Sequence, residues 1–182
     1  MAGNDDAKRR GLLIVHTGDG KGKTTAALGL ALRALGHGMR VLVIQFIKGP
    51  WRAGEHHMAE RLQPDLEIIA TGTGFVSPDV REWPPEALQA VRDGWALARE
   101  RVLAGAADVI ILDEINHVLH WGALPLDEVL EVLWQRPAGV HVVLTGRDAP
   151  PELIEAADLV TEMRALKHPH EQGVKAQRGI EY

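Results

Sequence analysis

Cysteine is absent from the chain, which excludes disulfides, thiolate catalysis and cysteine-ligated zinc and suits a cytoplasmic protein. No apolar run approaches the length of a membrane span, so no membrane partner is expected. Residues 1–10 are polar and charged and lack the apolar segment of a signal peptide; they read as a short disordered lead. There is no internal repeat and no low-complexity tract. Basic residues are outnumbered: 20 Lys and Arg against 25 Asp and Glu leave a net charge of −5. That balance argues against nucleic acid as the main partner.

What remains is ample material for one buried core, since 46% of the 182 residues are hydrophobic. Short apolar runs recur along the chain. Leu12-Leu13-Ile14-Val15, Val41-Leu42-Val43-Ile44, Leu66-Glu67-Ile68-Ile69, Val109-Ile110-Ile111-Leu112 and residues 140–144 read as strands, and Leu159-Val160 opens a sixth. Continuous rather than alternating runs suit strands buried on both faces, as in parallel sheets. The intervening segments carry helical periods. Residues 24–35 are rich in Ala and Leu. Leu88, Val91, Trp95, Ala98 and Val102 step by threes and fours behind Pro84-Pro85. Residues 126–134 and 150–157 are further helices, whereas residues 49–82 look turn-rich. The five tryptophans are expected mostly in packing, with Trp95 and Trp134 in the core. The expected fold class is α/β. It is a single-domain, doubly wound, mostly parallel sheet of about six strands over residues 11–182.

The strongest chemical signal is Thr17-Gly18-Asp19-Gly20-Lys21-Gly22-Lys23-Thr24-Thr25, placed between a predicted strand and a predicted helix. That context defines a phosphate-binding loop and a fold of the phosphate-loop NTPase, RecA-like type. Glycines let backbone N–H groups curl toward phosphate oxygens, and the helix N-terminus adds partial positive charge. Lys23 supplies a point charge for the phosphates and Thr24 a hydroxyl for Mg²⁺. Thr17 stands where the strict spacing asks for glycine. The second signal is Asp113-Glu114 at the tip of the fourth strand. In phosphate-loop proteins an acid there holds Mg²⁺ directly or through water, a role expected of at least one of the two. The competing account is an Asp that caps the next helix. His117 and His120 could share a helix face, but two ligands without a third make a poor metal site, so both read as solvated or core residues. His56-His57 reads as loop surface, with a substrate contact left open by the neighbouring Glu55.

The loop defines a class and leaves the reaction open, because kinases, switches and transferases all use it. The segments beyond it carry a resemblance. They are Val43-Ile44-Gln45-Phe46-Ile47-Lys48-Gly49, Gly74-Phe75, Asp113-Glu114-Ile115-Asn116 and Leu144-Thr145-Gly146-Arg147. The tail adds Lys167-His168-Pro169 and the run from Gly173 through Val174-Lys175-Ala176-Gln177-Arg178-Gly179-Ile180-Glu181 to Tyr182. Together they resemble the phosphate-loop ATP:corrinoid adenosyltransferases over residues 11–182, the tail being the most specific part and expected at the active site.

The resemblance implies that a cobalt(I) corrinoid attacks the ribose 5′-carbon of ATP and that inorganic triphosphate leaves intact, in adenosylcobalamin biosynthesis or salvage. It implies a loop used in the reversed sense, with the γ-phosphate where others place the α-phosphate. Carried over by position, Gly18, Asp19, Gly20, Lys21, Gly22, Lys23, Thr24 and Thr25 cradle the triphosphate. Lys23 neutralises the leaving group, Thr24 and Glu114 hold Mg²⁺, and Asp113 supports that ion from behind. Phe75 packs under the corrin ring and keeps the lower axial ligand off cobalt. A homodimer and a flavin-type reductant are implied as well. Two positions depart from the family's habit: Ser77 replaces an aromatic two residues after Phe75, and Asp19 replaces Asn. Two alternatives stay open on the residues alone, a small-molecule kinase on the same core and a non-catalytic nucleotide switch.

Overall fold

The computed structural model describes residues 10–49, 51–74 and 76–182. The expected lead therefore lies outside the described residues except for Arg10, and so does Phe75. Six strands alternate with helices: β1 (Leu13–Thr17), α1 (Lys23–Leu35), β2 (Val41–Gln45), α2 (Gly54–Arg61), β3 (Leu66–Ala70), α3 (Pro85–Leu103), β4 (Val109–Asp113), α4 (Ile115–His120), α5 (Leu126–Gln135), β5 (His141–Thr145), α6 (Pro151–Ala156) and β6 (Leu159–Glu162). They form one sheet in the order β3-β2-β4-β5-β1-β6, and every pairing is parallel. The register sets Ile14 beside Val143, Ile44 beside Leu112 and Gln45 beside Asp113. All strand tips therefore point the same way, and polar residues follow each apolar run at the tip.

The apolar runs are continuous because both faces of the sheet are covered. Leu13, Val15, Leu42, Ile44, Ile110, Leu112, Val142 and Leu144 pack against α3, α4, α5 and α6. Their alternates Ile14, Val41, Val43, Val109, Ile111 and Val143 pack against α1 and α2. Such burial stabilises by roughly 1.5–3 kcal/mol per large aliphatic side chain. On α1 the contact stripe is Ala27, Ala31 and Ala34, spaced four and three apart, so this helix rides close to the sheet. The two edges differ from the centre: β3 is only partly covered and β6 is exposed throughout.

Three local expectations need correction. The turn-rich stretch holds a helix, α2, with Glu55 in its first turn, Arg61 in its last and only Ala59 buried. Its polar composition hid it, and His56 and His57 lie on that helix rather than on a loop. His56 Nδ1 accepts a bond from the Ala53 N–H at 3.1 Å. Trp134 is 67% exposed, because the buried arc of α5 is set by Val129, Leu130, Val132 and Leu133 and the indole falls off it. Trp95 is buried as expected, its indole N–H donating to Glu128 at 2.6 Å.

Candidate active site

The chain leaves β1 at Thr17 and turns through Gly18, whose φ of 90° lies in the left-handed region that glycine tolerates. A Cβ on Gly18 would come within 2.5 Å of the Met163 carbonyl oxygen, so the loop is threaded against the residues that follow β6. The Gly20 N–H donates to that same carbonyl at 2.6 Å. Gly22, with φ 120°, opens α1 with no side-chain cap, which leaves the first N–H groups of the helix directed at the loop. Thr17 is buried, and its hydroxyl accepts from the Ala149 N–H at 3.1 Å. This explains the departure from glycine: the position ties the loop to the segment after β5.

Lys23 is 8% exposed and donates to the carbonyls of Gly18 at 2.6 Å and Gly20 at 2.8 Å. Burial lowers its pKa, while Glu114 and Asp19 hold it up. Thr24 Oγ1 donates to Asp113 Oδ1 at 2.8 Å. Asp113 is fully buried at the tip of β4. The same oxygen accepts from Thr145 Oγ1 at 2.7 Å, and Oδ2 accepts from Gln45 Nε2 at 3.1 Å. Burial and the neighbouring Glu114 push the Asp113 carboxyl up, and the two hydroxyl donors pull it back. The tips of β2, β4 and β5 and the start of α1 thus meet on one carboxylate.

Glu114 follows with a positive φ of 65°, unusual for a residue with a Cβ. Its N–H donates to Thr145 Oγ1 at 3.0 Å, which holds the turn. It occupies the capping position of α4 but caps nothing with its side chain. Its Oε2 is buried without a hydrogen bond and lies 3.0 Å from His117 Nε2, an ion-pair distance in unfavourable bonding geometry. Burial alone would raise this carboxyl; His117, Lys23 and Lys48 outweigh it, so Glu114 sits below the usual carboxylate range. His117 stacks on Trp121, with ring centroids 4.9 Å apart. His117 is thus half-buried and packed, on the core side of the expectation, with its Nε2 also facing the Glu114 carboxylate.

Two clefts flank this group. One, of about 530 Å³, runs from Lys21 and Thr25 past Lys48 and Glu55 to Glu181 and Tyr182 of the tail. The other, of about 540 Å³, shares Lys21, Lys23 and Glu114 and is bordered by Asp19, His117, Arg147 and His168. Tail and loop are joined by an ion pair, Lys21 to Glu181 at 3.6 Å.

For Mg²⁺ the donor set is suitable. Thr24 and Glu114 offer hard oxygens, Glu114 Oε2 is an orphaned buried acceptor, and the Asp113 oxygens are already taken by three donors. Among the described residues no three His, Asp or Glu form an all-protein metal cage, so the ion would need phosphate oxygens to complete its shell.

The structure thus brings together the loop residues 18–25, Asp113 and Glu114, while Phe75 falls outside the described residues. The residue pattern alone assigns no site role to Gln45, Thr145 or Lys48, and it reads His117 as a solvated or core residue. Gln45 and Thr145 share one legible signal: each is a polar residue ending an apolar strand run beside the acidic tip.

A six-stranded parallel sheet with this loop between β1 and α1 defines a phosphate-loop nucleotide-binding protein. The flagellar accessory protein FlaH of Methanocaldococcus jannaschii has the same fold, at TM-score 0.56 and 14% identity over 85% of this chain and 71% of that one. The family model described as ATP:corrinoid adenosyltransferase BtuR/CobO/CobP matches residues 9–182. The corrinoid adenosyltransferase of Escherichia coli strain K12 is 42% identical over 95% of this chain and 86% of its own length. That of Pseudomonas aeruginosa is 43% identical over 95% and 84%. The chain belongs to the corrinoid adenosyltransferase family. Among the described residues no helix is long and apolar enough to cross a membrane.

Proposed function

We propose that the protein transfers the 5′-deoxyadenosyl group of ATP to the cobalt(I) of a corrinoid. The cobalt(I) electron pair forms the carbon–cobalt bond, the bond from the 5′-carbon to oxygen breaks, and its electrons leave on triphosphate. Cobalt is oxidised formally from I to III, and no proton changes hands. The reaction therefore asks for positioning and for stabilisation of a leaving polyanion rather than for a general base.

The observation that carries this reading is the cradle around the phosphate loop in a chain of this family. Lys23 is buried between loop carbonyls that it can exchange for phosphate oxygens. The uncapped N-terminus of α1 offers its first backbone N–H groups to an anion, with Asp19 and Lys21 exposed on the loop. Thr24 and Glu114 are the residues that would hold Mg²⁺, with Asp113 fixing the Thr24 hydroxyl from behind. Mg²⁺ bound there would neutralise charge that builds on the departing phosphates. Phe75 is proposed to pack under the corrin, a role supported by the resemblance. The same resemblance supports a homodimer and a flavin-type reductant, and the cysteine-free composition suits the cytoplasm.

The test is incubation with ATP, Mg²⁺, reductant and a corrinoid. The expected product shows the absorption of a carbon–cobalt bond. ADP with a phosphorylated acceptor would instead mean a kinase, and binding of ATP without turnover a switch.

A further inference from the structure

Lys48 lies three residues beyond Gln45, in the segment that leaves the tip of β2, and Glu55 sits in the first turn of α2. Their side chains form an ion pair at the mouth of the cleft that also holds Lys23, Thr24 and Glu114. The two side chains are 34% and 17% exposed. Burial pushes Glu55 up, but Lys48 more than offsets it and holds the carboxyl below the usual range. Lys48 also acts on Asp113 and Glu114 in the same direction, so its charge bears on the floor of the cleft as well as on its rim.

Each lysine that borders this cleft is already engaged within the protein. Lys23 bonds loop carbonyls, Lys21 pairs with Glu181, and Lys48 pairs with Glu55. A triphosphate carries several negative charges where Glu55 carries one, and Coulomb attraction scales with that charge. The pair is partly buried, so opening it costs more than opening a surface pair, and the exchange is favourable because the incoming polyanion gives Lys48 a more highly charged partner in the same place. Once released, Glu55 keeps the favourable field of the α2 N-terminus.

We propose that Lys48 is a further triphosphate-binding residue, held by Glu55 in the open cleft and handed to the polyanion when it binds. This rests on reading residues 18–25 as the triphosphate site.

The experiment titrates the full chain with inorganic triphosphate in the presence of Mg²⁺, by calorimetry, for the wild type, Lys23→Ala, Lys48→Ala, Glu55→Gln and the double variant. Lys48→Ala should weaken binding roughly tenfold, the loss of one charge-assisted contact. Glu55→Gln should tighten it, because Lys48 is no longer shared. The double variant should match Lys48→Ala. A strut holding the loop would behave otherwise, since breaking it from either side weakens binding alike. Unchanged affinity in Lys48→Ala, or weakened affinity in Glu55→Gln, overturns the proposal while normal loss in Lys23→Ala leaves the loop reading standing. If Lys23→Ala also binds as the wild type does, the loop reading fails and the Lys48 proposal falls with it.

Discussion

The floor of the cleft and its cover are built differently. On the floor, Thr24, Thr145 and Gln45 converge on one buried carboxylate, Asp113, through bonds of 2.7–3.1 Å. Over it, the segment after β2 is tied to α2 by the partly buried pair of Lys48 with Glu55, and the C-terminal tail reaches the loop through the more exposed pair of Lys21 with Glu181. Buried bonds of the first kind cannot be exchanged for water without leaving a donor or acceptor unsatisfied, at about 1–3 kcal/mol each. Ion pairs of the second kind keep some contact with water on at least one partner and cost less to open. The contrast suits a reaction in which the metal and leaving group need fixed positions while two large substrates must enter and leave.

The largest expected effect breaks the floor at its charge. Lys23→Ala removes a cation that burial already works against, so the fold should survive, with an unchanged circular dichroism spectrum. The kcat/KM should fall by at least roughly ten- to hundredfold, the worth of one charge-assisted contact, and further if Lys23 acts mainly on the transition state. Near-normal turnover of the folded variant would remove Lys23 from the mechanism.

Asp113→Asn breaks the floor at its hub. The amide nitrogen would face hydroxyl and amide donors that now point at an acceptor, leaving one unsatisfied. We expect a loss of about 1–3 kcal/mol in stability, or about 2–4 °C in Tm per kcal/mol, together with lost activity. A variant of wild-type Tm would show that the converging bonds contribute nothing.

Glu114→Gln separates metal affinity from stability. The substitution keeps the shape and removes the charge, so Tm should fall modestly with the lost attraction to His117, Lys23 and Lys48, while the Mg²⁺ concentration for half-maximal rate rises markedly. An unchanged Mg²⁺ dependence would exclude Glu114 as a ligand.

The smallest effect sits on the cover. The Glu55 carboxyl is depressed in the folded chain, so its contribution is present above the unfolded value of about 4.3 and is lost as pH falls through the folded one. Stabilities of the wild type and Glu55→Gln should therefore differ at neutral pH and converge in acid. Parallel curves through that range would mean that the ion pair does not form in solution.

This division also governs what could be read from the sequence. The strands and the phosphate loop were legible because each imposes a local pattern: apolar runs buried on both faces, and glycines with Lys23-Thr24 opening a helix. The network on Asp113 was only half legible. Gln45, Thr145 and Asp113 are far apart in the chain and meet only because strand order places β4 between β2 and β5. The approach of His117 to Glu114 was not legible either, because no residue pattern announces the left-handed turn at Glu114 that precedes α4. Helix α2 leaves no apolar pattern in the sequence because it buries one alanine and owes its place to the β2–β3 crossover. For Trp134, size and period favour the core, while the register of α5 turns the indole outward.

The central claim is that the phosphate loop holds a triphosphate that leaves whole. It is tested most directly by phosphorus NMR of the products of a single turnover with ATP, Mg²⁺ and a chemically reduced cobalt(I) corrinoid. Inorganic triphosphate should appear in step with the carbon–cobalt product, with neither ADP nor orthophosphate. Product accompanied by diphosphate or orthophosphate released in the same phase would contradict the account.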